Sequence, residues 1–307
     1  MRRFTFRSWP VLMLGFASLL PALAWAQVST YSVVMNWPQN DGSGAPEYRR
    51  ADVTGVGVDT TGRVFVCSGT RHPVLVFDQS GRYLYSFGEG LLVEPHTVRI
   101  DPEGNVWITD FEVHQVFKFA PDGTLLRTFG VRGKHGRDAT HFNGPTDVAF
   151  APSGDVYISD GYGNSRIVRL SHDGTYLGDF GNWGKQNGLF RIPHSVAVDA
   201  AGRVYVADRT NKRIQVFTGE GAFLSAWKLK DKPNSLFITP DQRLYVANWK
   251  TNTISVMDLA GHELQKWGRS GRTPGRLNEP HMLSVDRDGD VFVAEAGSKR
   301  VQEFAPQ

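Results

Sequence analysis

Three of the nine histidines stand directly after a proline, in Pro95-His96, Pro193-His194 and Pro280-His281. Neutral imidazole is the commonest metal ligand among side chains. Three imidazoles with an open fourth position form the ligand set of a catalytic zinc ion, which polarises an oxygen and lowers the pKa of what it binds. These histidines lie 98 and 87 residues apart. That chemistry therefore exists only if the fold returns each Pro-His pair to one place.

The surrounding residues belong to a chain that does return. Pro95-His96-Thr97-Val98-Arg99-Ile100-Asp101 leads into Gly104-Asn105-Val106-Trp107-Ile108-Thr109-Asp110. The pattern recurs as Pro193-His194-Ser195-Val196-Ala197-Val198-Asp199, then Gly202-Arg203-Val204-Tyr205-Val206-Ala207-Asp208. Pro145-Thr146, Pro233-Asn234 and Pro280-His281 open further copies, and a degenerate first copy starts near Thr54. The equivalent positions Thr54, His96, Thr146, His194, Asn234 and His281 are spaced by 42, 50, 48, 40 and 47 residues. The copies hold four short runs of Val, Ile and aromatics, three in the last, joined by turns such as Asp-Gly or Ser-Gly, the signature of a propeller blade. The expected fold is all-β, a six-bladed β-propeller over residues 27–307. The outer strand of five copies ends in an aromatic, Phe87, Phe129, Phe180, Trp227 or Trp267, whereas the sixth copy stops at Phe304. The run Tyr31–Trp37 has the character of the missing strand. It is expected to complete the last blade and close the ring, which removes an exposed sheet edge.

In such a ring the innermost strand of every blade lines a central channel. His96, His194 and His281 then fall on alternate blades, about 120° apart, and converge on the axis as a metal site; Thr54, Thr146 and Asn234 complete the ring behind them. The remaining histidines are weaker candidates. His114 reads as blade core, His135 and His141 as part of the long connection near the channel mouth, His172 and His262 as solvated, and His72 as a loop residue on the same side.

Composition agrees with a globular β chain: 40% hydrophobic, 21% charged, and too many breakers (33 Gly, 16 Pro) for long helices. Residues 1–26 read as a secretory signal peptide, with basic Met1–Arg7, an apolar Val11–Leu23 and the small residues of Ala24-Trp25-Ala26. The expected location is periplasmic or secreted, with no stable membrane insertion after cleavage. Arg2, Arg3 and Arg7 carry the whole formal charge of +3, so the mature chain is neutral. It offers no bulk attraction for nucleic acid. The lone Cys67 cannot form an internal disulfide and is expected to be buried in its apolar run.

The repeat resembles the NHL-type propeller. Ser159-Asp160-Gly161-Tyr162-Gly163-Asn164-Ser165-Arg166-Ile167-Val168, with His114-Gln115-Val116-Phe117-Lys118, Asn143-Gly144-Pro145-Thr146-Asp147-Val148-Ala149, Pro193-His194-Ser195 and Ala207-Asp208-Arg209, is similar to the peptidyl-α-hydroxyglycine α-amidating lyases. That resemblance implies zinc on His96, His194 and His281, and Tyr162 as base or hydroxyl ligand. It implies Arg209 and a first-blade arginine as clamps for the substrate carboxylate; Arg71 is the candidate there, with its register shifted by a residue or two. It further implies cleavage of a carbinolamide to a primary amide and glyoxylate by a monomer acting on a small molecule or peptide bearing a carboxylate. Two disulfides of the animal relatives are not expected, because Asn143, Gly163, Tyr205 and Val216 stand near those cysteine positions. Met282 replaces the aspartate that supports a structural calcium, so calcium is not expected. Glu279 replaces an apolar residue near the metal. Arg166, Arg213 and Arg300 recur at matching blade positions and read as repeat structure. Two other functions compete with a lyase: a non-catalytic propeller with a structural metal, and a lactonase-like enzyme. The latter would use carboxylate and Asn ligands for calcium-like ions, whereas this ring offers histidine.

Overall fold

Short β-branched and aromatic runs bounded by tight turns pair only with their sequence neighbours, and stacking such four-stranded units bends them into a ring. The computed structural model describes residues 30–39 and 53–307. Its strands form six four-stranded antiparallel sheets, all but one built from consecutive strands. Blade two is representative, with an inner strand Pro95–Ile100, then Val106–Asp110, Gln115–Phe119 and an outer strand Leu125–Phe129. The six inner strands are Val53–Val58, Pro95–Ile100, Asp147–Phe150, Pro193–Val198, Pro233–Ile238 and Pro280–Val285. The signal segment 1–26 lies outside the described residues.

Burial follows position in the blade. Second strands such as Val106–Asp110 and Val204–Asp208 are buried along their whole length because neighbouring blades cover both faces. The outer strand Phe223–Lys228 instead alternates between half-buried and exposed residues. The core divides into six hydrophobic clusters, each joining two adjacent blades. Cys67 is buried in the cluster between blades one and two, and burial pushes its thiol pKa up, which leaves it inert.

The ring closes through the N-terminal segment. Tyr31–Val33 pairs antiparallel with Arg300–Pro306, and Val34 N–H adds a bond to Glu303 O at 2.9 Å. Trp37 then fills the aromatic position that the last copy lacks. In the sister blades a turn glycine rests on the previous blade's terminal aromatic, where an added Cβ would come within 2.6 Å of Phe87 (at Gly123), 2.5 Å of Phe180 (at Gly221) and 2.7 Å of Trp227 (at Gly261). Gly81 of blade one meets Trp37 Cδ1 in the same manner at 2.9 Å. Trp37 packs between Phe292 of blade six and Phe77 of blade one, with ring centroids at 5.2 and 5.9 Å.

Candidate metal centre and channel mouth

Each Pro-His pair opens an inner strand with an irregularity. The pairing register slips between Pro95 and Thr97, between Pro193 and Ser195, and between Pro280 and Met282. A bulge leaves one residue without a partner and re-aims its side chain; in all three strands that residue is the histidine, and it turns to the axis. The three rings stand 4.7 to 4.9 Å apart between centroids and nearly perpendicular to one another, and one ligand nitrogen from each lies within 4.8 Å of the others.

The tautomers follow from the hydrogen bonds. Nδ1 of His96 faces Thr146 O at 2.6 Å, Nδ1 of His194 faces Asn234 O at 2.8 Å, and Nδ1 of His281 faces Thr54 O at 2.7 Å. A carbonyl only accepts, so Nδ1 carries the proton in each ring and the Nε2 lone pair points to the axis. The other three ring members bond in the opposite sense. Thr54 donates to Pro95 O, Thr146 to Pro193 O and Asn234 to Pro280 O, at 2.6, 3.0 and 3.2 Å. Every second blade thus grips the residue just before a histidine, while each histidine grips the next blade. Burial holds the pKa of all three imidazoles below the usual value, that of His281 at about 4, so they are neutral at neutral pH. Three neutral, oriented nitrogens at this spacing fit a divalent metal: zinc at about 2.0–2.1 Å from each nitrogen needs only a small inward movement of the rings.

Tyr162 and Arg209 overhang the centre from blades three and four. The Tyr162 hydroxyl sits 2.9 Å from His96 Nε2 and 3.3 Å from His194 Nε2. With Nδ1 already protonated, the phenol is the donor. The tyrosine can take this place because Gly161 precedes it. A Cβ at 161 would overlap the Pro193 carbonyl oxygen and press on Thr146 Oγ1 at 2.8 Å. Burial raises the Tyr162 pKa, and the nearby Arg209 guanidinium opposes that rise. Arg209 lies over the rings of Tyr162 and Trp249 at 5.7 and 5.2 Å. Among the described residues it has no carboxylate partner, since Asp208 pairs with Arg213 at 2.7 Å and Asp160 with Arg166 at 2.9 Å. Desolvation accordingly lowers its pKa.

These blade-end acids do structural work. Asp208 and Asp160 also accept the Arg191 and Asn143 N–H groups at 2.7 Å each, and Glu295 accepts Asn278 N–H at 2.7 Å while pairing with Arg300. The acid–arginine repeats therefore fasten the loops that lead into the ring strands, two of which carry His194 and His281.

Comparison with known proteins agrees with this architecture. The NHL repeat family profile matches residues 92–119, 142–170 and 190–217, which cover the first three strands of blades two, three and four. NHL repeat-containing protein 3 of Homo sapiens is 36% identical across 93% of this chain and 87% of its own length. The chain belongs to the NHL-repeat family. It is also homologous to Peptidyl-alpha-hydroxyglycine alpha-amidating lyase 1 of Drosophila melanogaster, at 31% identity over 73% of this chain and 47% of that protein. Among solved structures, a streptogramin B lyase superposes with a TM-score of 0.60 over 86% of this chain and 96% of its own, at 15% identity, a likeness of fold alone.

The other residues singled out in the sequence lie apart from this centre. Arg71 lies on the turn at the same end of blade one, but it is exposed and donates from Nε to His72 Nε2 at 3.2 Å, apart from the three axial histidines and Tyr162. His72 itself pairs with Glu89 at 2.9 Å. His135 packs on His114 and His141 binds Asp138, so neither joins the centre. His172 and His262 are exposed and pair with Glu103 and Asp258. Met282 is buried in the core between blades one and six, where it offers no oxygen to an ion. Glu279 faces Lys250 of blade five at 4.0 Å. Tyr205 and Val216 are direct cross-strand partners, and Gly163 N–H bonds Asn143 O at 2.8 Å, so non-covalent contact stands where the resemblance places cysteine pairs.

Two mouth residues escaped the sequence reading. Phe111 packs edge-on against His96 and Tyr162, at 6.0 and 5.6 Å, and Trp249 stacks under Arg209. Both occupy the turn position after the second strand that Arg209 occupies in blade four; that equivalence was the available signal. Below the histidines, Arg99 closes the channel. It grips Asp147 through Nε at 2.9 Å and through a terminal amino group at 2.8 Å, and it donates to the Leu236 and Leu283 carbonyls at 3.0 Å each. One side chain thereby ties blade two to blades three, five and six.

Proposed function

We propose that this NHL propeller is a zinc-dependent carbon–nitrogen lyase that cleaves a carbinolamide of the peptidyl-α-hydroxyglycine type to a primary amide and glyoxylate. The observation that carries the reading is the meeting of three neutral Nε2 lone pairs, the Tyr162 hydroxyl and an unpaired Arg209 at one channel mouth. Homology to an amidating lyase supports it. Zinc bound by His96, His194 and His281 would supply a Lewis acid toward the substrate hydroxyl.

The chain's own residues account for the rest. Arg209, a half-buried cation without a counter-ion among the described residues, binds the substrate carboxylate in fork geometry. Tyr162 enters as a neutral phenol, because burial outweighs Arg209 in setting its pKa. A neutral phenol suits a relay: its oxygen takes the proton of the substrate hydroxyl while its own proton passes to the departing nitrogen. The carbon–nitrogen bond breaks with its electron pair on nitrogen, and the former O–H pair closes the aldehyde carbonyl. Phe111 packs edge-on against His96 and Tyr162 and walls one side of the mouth. The protein acts in the periplasm or outside the cell, as its leader indicates, on a small molecule or peptide that carries a carboxylate.

A second reading, a non-catalytic binding propeller with a structural metal, is favoured by the extent of the match to NHL repeat-containing protein 3, whose name assigns no reaction. Incubation of the zinc-loaded protein with α-hydroxyhippurate separates the two. The lyase reading expects benzamide and glyoxylate in equal amounts; a metal-replete protein that releases neither leaves the binding reading.

A further inference from the structure

We infer that the channel mouth contains a second anion subsite, built by Lys232, Trp249 and Lys250 of blade five, and that the substrate carries an acidic group on the acyl side of its carbinolamide. The inference rests on the lyase reading and names its substrate class. Three cations gather on one indole: Lys250 Nζ lies 4.2 Å from the Trp249 ring, Arg209 5.2 Å and Lys232 5.4 Å. Several cations elsewhere in the propeller are paired at short range, as in Arg63–Asp59, Lys118–Asp101, Arg169–Asp155 and Arg203–Asp199, at 2.6 to 3.0 Å. Here Arg209 and Lys232 have no ion-pair partner among the described residues, and Lys250 has only Glu279 at 4.0 Å.

The lysines are held in place by the backbone around them. Asp231 is buried, and its carboxylate accepts N–H groups from Lys232 at 2.6 Å, Lys250 at 3.3 Å and Thr251 at 2.7 Å, with the Thr251 hydroxyl at 2.7 Å. Trp249 N–H donates to Lys232 O at 3.1 Å. This clamp spends the Asp231 charge on amides and fixes both lysine loops beside the indole. Like charges gathered around one indole repel, and a bound anion offsets that repulsion. Arg209 touches both the Tyr162 ring and the Trp249 ring. With the α-carboxylate on Arg209, the acyl part of the substrate extends past Trp249, and a carboxylate there meets Lys232 and Lys250.

The test compares N-benzoyl-α-hydroxyglycine with N-(4-carboxybenzoyl)-α-hydroxyglycine, which differ by one carboxylate, on the zinc-loaded full chain at low salt. The wild type is expected to favour the carboxylate compound at least tenfold in kcat/KM, through KM. The ratio should fall to about one in the Lys232→Met, Lys250→Met double variant, in which Met keeps the apolar stem of half-buried Lys232 and exposed Lys250 and leaves the fold intact. A wild-type ratio near one, or a ratio kept by the double variant, overturns the subsite. Binding of the uncleavable N-(4-carboxybenzoyl)glycine by calorimetry supplies the second readout. If neither substrate is cleaved but this ligand binds at least tenfold more weakly to the double variant, the lyase reading has failed and the anion subsite stands. If neither substrate is cleaved and the two proteins bind it alike, both have failed.

Discussion

Tyr162 is the residue on which metal binding and turnover separate. Its hydroxyl touches His96 and His194, yet the three histidines hold their orientation through Thr146, Asn234 and Thr54 carbonyls. Tyr162→Phe is therefore expected to keep one zinc per chain and to lose most glyoxylate release; full activity on every carbinolamide would remove the relay. His194→Ala should lose both metal and turnover, as read by metal analysis beside the same assay. Arg209→Ala should raise KM by the equivalent of about 2–4 kcal/mol, the loss typical of a desolvated charge pair, with metal content unchanged. The histidines were legible in sequence because each falls at a repeat-defined position, whereas Tyr162 and Arg209 were singled out only through the resemblance to the amidating lyases. Phe111 and Trp249 were not legible, because an aromatic in a blade carries no chemical signature of its own. Arg71 stands apart from the cluster for a physical reason. Blade one ends its second strand in Ser68 rather than an acid, so no carboxylate fastens the turn as Asp160 and Asp208 do, and Thr70 and His72 organise it instead.

Within single blades the repeat is imperfect, and the imperfections have consequences. Opposite Trp107 and Tyr157 the third strands of blades two and three place Lys118 and Arg169, which neutralise Asp101 and Asp155. The corresponding residue of blade six, opposite Phe292, is Glu303, buried beside Asp290 and Asp286. Burial and these carboxylates push its pKa up to about 8. An acid whose folded pKa exceeds its unfolded value stabilises the fold fully below the unfolded pKa, and that stability is lost as pH rises through the folded one. The protein should therefore lose stability between about pH 4.3, the ordinary Glu value, and pH 8. Each pH unit between the two titrations is worth about 1.4 kcal/mol before relaxation. Denaturant midpoints across pH 5–9 are expected to fall less steeply in Glu303→Gln; equal slopes would show that Glu303 is ionised in the folded protein. This placement was hidden in the sequence, since only the cross-strand register sets Glu303 where the sister blades carry a cation.

At the scale of the whole molecule, a ring is as strong as its closure. The repeat period made six blades legible, and the absent outer strand of the last copy pointed to Tyr31–Trp37. Only three residues of that run pair as strand, because Asn36 adopts a left-handed backbone (φ 65°) and turns Trp37 inward between blades six and one. Trp37→Ala should destabilise the propeller by about 3–5 kcal/mol, the range for removing a buried large aromatic, measured by denaturant unfolding; a loss below about 1 kcal/mol would mean that the strand pairing alone closes the ring. The central claim joins this closed ring to one metal-dependent reaction at its axis. It is tested most directly by titrating metal-free protein with zinc while following glyoxylate release from α-hydroxyhippurate. The account predicts activity that rises linearly and saturates at one zinc per chain, and that is absent at every zinc concentration in His194→Ala. Full zinc occupancy of the three-histidine site with no glyoxylate formed, or activity that survives in His194→Ala, would contradict it.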